Sequence, residues 1–126
     1  MQKLYFEKAW EKTISDHDKQ YIKNRFEQTK NEQEHNIKLV PIRIAYNHRN
    51  DLLVTVLIHN FEAVTNDLST INVELFEHST QIGEENFTEH RLQLEAHTSM
   101  PWTFIFPYGS YSDIRNTNNI TAKLAE

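Results

Sequence analysis

Apolar and polar positions along the chain follow two different periods. In the first 35 residues the apolar positions are sparse and helically spaced. Tyr21, Ile22, Arg25 and Phe26 fall on one stripe, and Thr29 follows on it. Ser15 and Asp16 are good N-cap residues, and Asp18 three after Ser15 is a weak form of the capping box. The spacing predicts a helix over residues 16–30. Its apolar face is narrow, so a helix this short must pack on something. Ile14, just before the cap, can staple to it. The run Asn31-Glu32-Gln33-Glu34-His35-Asn36 is a polar connection.

From residue 37 the period becomes two. Ile37, Leu39, Ile42 and Ile44 form a first strand, broken in its alternation by Pro41. Proline donates nothing to a ladder, so this strand lies at an edge or is bulged there. Asn47-His48-Arg49-Asn50-Asp51 is a turn. Residues 52–60, Leu-Leu-Val-Thr-Val-Leu-Ile-His-Asn, are the most apolar run of the chain and predict a central strand buried on both faces. Asn66-Asp67 marks another turn. Ile71, Val73 and Leu75 alternate with polar neighbours in a third strand. The run 81–85, containing Gly83, predicts a turn, with a short fourth strand over 85–88. Leu92, Leu94 and Ala96 give a fifth. Residues 101–107, bounded by Pro101 and Pro107, give a sixth, with Trp102, Phe104 and Phe106 on one side and Thr103 and Ile105 on the other. Ile120, Ala122 and Leu124 make a weak last strand.

About seven short strands joined by turns, with no alternating helices, predict a mainly β fold. The expected architecture is an immunoglobulin-like antiparallel β-sandwich with an N-terminal α-helix. One domain over 1–126 is expected, divided into a helical segment at 1–36 and the sandwich at 37–126. The length of 126 residues suits this, because such a chain buries roughly 65–70% of its unfolded surface without staples. Cysteine is absent, which removes disulfides, thiol nucleophiles and thiolate metal sites. A net charge of −5 argues against nucleic acid as a partner. The two glycines are too few for a phosphate-cradling loop. Neither a leader-like segment nor an apolar stretch of membrane-spanning length is visible, so the expectation is a cytoplasmic chain without membrane insertion.

The seven histidines include no i, i+4 pair on the expected helix. His59 and His78 end two strands, and with Glu77 or Glu62 they are the one conceivable metal or small-ligand site. The plainer reading makes them strand-end histidines touching solvent. No nucleophile elbow or carboxylate pair stands out, so no catalytic residue, cofactor or enzymatic activity is assigned. Two Asn-x-Thr triplets, at 86–88 and 119–121, are ordinary strand and turn content. The aromatic run at 102–106 is either core or a patch left open to a partner.

Three motifs carry a resemblance. They are Phe6-x-x-x-Trp10, the strand Val54-Thr55-Val56-Leu57-Ile58-His59 ending in Asn60, and Pro101-Trp102-Thr103-Phe104-Ile105-Phe106. Together they resemble the SLAP domain of Gram-positive bacteria, named for an S-layer assembly protein linked to an accessory Sec secretion system. The resemblance spans nearly the whole chain and brings no catalytic residue with it. It implies a non-enzymatic protein-interaction module with Trp10, Trp102, Phe104 and Phe106 as core or partner-binding aromatics. The expected partner is another protein, and exposed sheet edges allow pairing with a second copy.

Overall fold

The computed structural model describes residues 1–32 and 36–125. Their elements are β1 (Lys3–Leu4), α1 (Lys8–Thr13), α2 (Asp16–Thr29), β2 (Ile37–Tyr46), β3 (Leu52–Asn60), β4 (Asn66–Asp67), β5 (Thr70–Glu77), β6 (Thr80–Thr88), β7 (Gln93–Leu94), β8 (Thr98–Phe106) and β9 (Ile120–Leu124). A single 3-10 turn precedes β9. No helix among the described residues is long and apolar enough to cross a membrane.

The strands form three sheets. One runs β1-β8-β3-β2, a second β6-β5-β9, and β4 and β7 pair as a short third. All pairings are antiparallel except β1 with β8. Alternation along β3 sends Leu52, Val54, Val56 and Ile58 into the main core, where they meet Val73, Leu75, Phe104, Phe106 and Ile120. Leu57 points the other way and joins Val40, Ile22 and Phe26 under α2. The mainly β sandwich expected from the periodicity is the fold, with nine strands rather than about seven.

The helix also lies where its stripe places it. Ser15 Oγ accepts from the Asp18 N–H at 3.0 Å, and Ile22, Phe26 and Thr29 face inward. The apolar stripe buries them against β2 and β3, which stabilises a helix too short to persist alone. The first long strand is both edge and bulge: β2 is outermost, and its register shifts between Pro41 and Arg43. Ile42 takes up the extra position, so alternation restarts in the correct phase with Ile44 on the core side.

Several expectations are corrected. The turn predicted at 81–85 is strand. The β5–β6 reversal occurs earlier, where Glu77 pairs with Thr80 and His78 adopts a left-handed φ of 54°. Gly83 serves a close approach instead of a turn, because a Cβ there would lie 2.7 Å from the Ser110 carbonyl oxygen. The fifth strand shrinks to Gln93–Leu94, since the chain leaves the ladder to reach His97, also left-handed at φ 54°. Its partner is Asn66–Asp67, expected to be a turn. The sixth strand starts at Thr98, ahead of Pro101. Gln33, Glu34 and His35 of the polar connection lie outside the described residues.

Candidate functional site

The helix-bearing face of the four-stranded sheet is only half covered. Its side chains form cross-strand rows set by register. The row Ser99, His59 and the row Pro101, Leu57, Val40 lie under α2. The next row is Thr103, Thr55 and Arg43, and beyond it lie Ile105, Leu53 and Ala45. No helix among the described residues covers these two rows: Ile105 is 49% exposed, Arg43 is exposed, and Leu53, Thr55, Thr103 and Ala45 are half-buried.

At the boundary between covered and uncovered rows is a groove of about 690 Å³. Helix α1 and the start of α2 wall it with Ala9, Trp10, Thr13, Ile14, His17, Asp18, Tyr21 and Ile22. The sheet contributes Ile42, Arg43, Thr55, Trp102 and Thr103, and Arg91 closes the β8 end. Local chemistry builds each wall. Glu7 caps α1 by accepting from the Ala9 N–H at 2.9 Å, and Trp10 in this six-residue helix reaches both the main core and the α2 cluster. Arg91 lies over the Trp102 ring at 4.9 Å, held by Glu89 at 2.7 Å and Glu7 at 3.6 Å. On the floor the Thr55 and Thr103 hydroxyls bond each other at 2.8 Å. Arg43 has no ion pair or side-chain hydrogen bond among the described residues.

Beneath α2 is a sealed polar network around His59, which is wholly buried. This corrects the expectation of a solvent-touching strand-end histidine: α2 closes over the end of β3. The Thr29 hydroxyl donates to the Arg25 carbonyl at 2.7 Å, so toward His59 Nε2, 2.7 Å away, its oxygen accepts. The amide of Gln2 donates to Ser99 Oγ at 3.0 Å, and Ser99 Oγ lies 2.6 Å from His59 Nδ1. Because the Thr29 oxygen takes a hydrogen from Nε2, the neutral ring carries its one hydrogen there, and Nδ1 accepts from the Ser99 hydroxyl. Burial pushes its pKa down to about 4. Both ring nitrogens are engaged, which leaves no lone pair for a metal. His78 is in the exposed β5–β6 turn of another sheet, and Glu77 accepts from the Arg115 and Asn116 N–H groups. The structure does not bring the suggested His59, His78, Glu77 and Glu62 set together as a site. Among the described residues no group of three or more His, Asp or Glu side chains is placed to hold a metal.

Asn60, which ends β3, is a buried hub. Its amide nitrogen reaches the Val64, Leu94 and Glu95 carbonyls at 3.0–3.1 Å, and its Oδ1 accepts from Glu62 N–H and Asn66 Nδ2. One side chain thus ties β3 to β4 and β7. The model of the SLAP domain family matches residues 4–123. The chain belongs to the SLAP domain family. No curated protein and no solved structure matches it. In this SLAP domain Phe104 and Phe106 are core, Trp102 is 9% exposed beneath Arg91, and Trp10 is half-buried in the groove wall. Of the lining residues, the sequence singled out only Trp10 and Trp102 as site candidates; it missed Arg43, Arg91, Tyr21 and the Thr55–Thr103 pair, among others. Tyr21 sits on the legible helical stripe; the other four carry no local signal, because only register and chain crossing bring them together.

Proposed function

We infer that this SLAP domain is a non-catalytic module that holds a segment of another protein on the half-covered face of its four-stranded sheet. One observation carries this reading: an apolar groove walled by Trp10, Ile14, Tyr21 and Ile42 runs into two sheet rows that no helix among the described residues covers. Exposed apolar surface of this kind, rimmed by charge, suits a protein partner. By analogy with the family's link to S-layer assembly and accessory Sec secretion, the partner is a cell-envelope or secretion protein of a Gram-positive bacterium. A cytoplasmic location is part of the reading, and cell fractionation tests it.

Photo-crosslinking in the native bacterium tests the docking itself. A crosslinker at Tyr21 is expected to give a discrete adduct that a crosslinker at Asn86, on the opposing sheet, does not give. Equal labelling from both positions, or none from Tyr21, would sink the reading.

A further inference from the structure

The geometry points to an amphipathic helix with acidic residues beside its apolar stripe as the segment that packs on the open half of the sheet face, with a carboxylate on Arg43. This rests on the reading of the groove as a docking site and adds the partner's shape and charge. The shape follows from hydrogen bonding. On the face of a sheet, backbone groups are already spent in the ladders of β2, β3 and β8. A segment lying over that face finds no backbone partners, so it must satisfy its own N–H and C=O groups, as a helix does. The covered half shows the same solution, with α2 packed on Val40 and Leu57. The open rows run from β8 to β2, roughly 10 Å, about the width of one helix. What they offer is Ile105, Leu53 and Ala45 beside Thr55 and Thr103.

The charge follows from Arg43. The whole chain carries −5 and the groove itself holds Asp18, yet the one charged side chain in the two open rows is Arg43. Arg91 is occupied by Glu7 and Glu89, while Arg43 is unpaired among the described residues. An exposed guanidinium beside an apolar floor selects a carboxylate by direct pairing and rejects a basic segment by repulsion. A second copy of this chain is the competing occupant, and the test separates it.

The probes are a synthetic Leu/Ala amphipathic helix with its stripe flanked by Glu, and the same helix flanked by Lys. Titrated into the 15N-labelled chain, the Glu helix is expected to shift the amides of Leu53, Thr55, Thr103 and Ile105 and to leave Asn72 and Asn86 unmoved. The Lys helix should bind roughly three- to tenfold more weakly. Arg43→Glu should reverse that order and Arg43→Gln should abolish it, both with unchanged melting. Equal binding of the two helices, shifts confined to other surfaces, or indifference to Arg43→Glu overturns the proposal. So does concentration-dependent dimerisation that protects the same four amides, since a second copy would then be the occupant. If neither helix binds while the Tyr21 crosslink still forms, the helix is wrong and the docking groove stands; if both fail, both readings fall.

Discussion

His59 has both ring nitrogens in hydrogen bonds and no solvent contact, so its charge state is coupled to folding. Its folded pKa of about 4 lies below the ordinary value of 6.5. The unfolded chain therefore binds the proton more readily, and stability rises with pH between these values. The contribution is complete above about pH 6.5 and is lost as pH falls toward 4, amounting to at most about 3 kcal/mol. Urea denaturation at pH 7, 5.5 and 4.5 checks this. The wild type should lose more stability than His59→Gln over that range, and parallel losses would contradict the assignment. Trp102 gives a second residue-scale prediction. Its ring is packed in the core and capped by Arg91, so Trp102→Ala should cost about 3–5 kcal/mol in the same assay. A variant that melts like the wild type would mean the ring contributes little to packing.

Among the elements, β8 shows how one residue type sets an edge. Lys3 N–H bonds the His97 carbonyl and Tyr5 N–H bonds the Ser99 carbonyl, each at 2.8 Å. Continuing this parallel ladder needs a donor at position 101, where proline has none, so β1 stops and the chain turns into α1. Pro101 and Pro107 were legible as strand boundaries, but the ladder begins three residues earlier because the limitation concerns one edge of β8 only. Gly83 misled for a related reason. A glycine in a polar run signals a turn by conformational freedom, whereas here it makes room for the Ser110 and Tyr111 backbone. Gly83→Ala should push that segment away, at a cost of about 1–3 kcal/mol. Hydrogen exchange is the sensitive readout: the Ser112 N–H, bonded to the Ile82 carbonyl at 2.6 Å, should lose protection first. Unchanged protection there would show that the strand absorbs the methyl without moving its neighbour.

At the scale of the whole molecule, two apolar clusters lie on opposite faces of the four-stranded sheet, and Trp10 packs against both. Helix loss and core opening should therefore be one event. Far-UV circular dichroism and tryptophan fluorescence are expected to report coincident unfolding curves, and a separate early loss of helix would show that the layers are independent. By itself the sequence determined the period of each segment. That fixed α2, the central strand (though its second face is buried only at Leu57 and His59), the bulged edge at Pro41 and the sandwich class, because burying an apolar face depends on local spacing. It also carried the family, through aromatic and Asn60 motifs that the structure explains as packing and hydrogen-bonding nodes. Only the tertiary structure decided which strands are neighbours, that His59 is sealed under a helix, and that Arg43, Thr55 and Thr103 share a row with Arg91 nearby. Those relations depend on register and chain crossing between residues as much as 95 positions apart, as in the pairing of Lys3 with Thr98, and local periodicity contains no term for them.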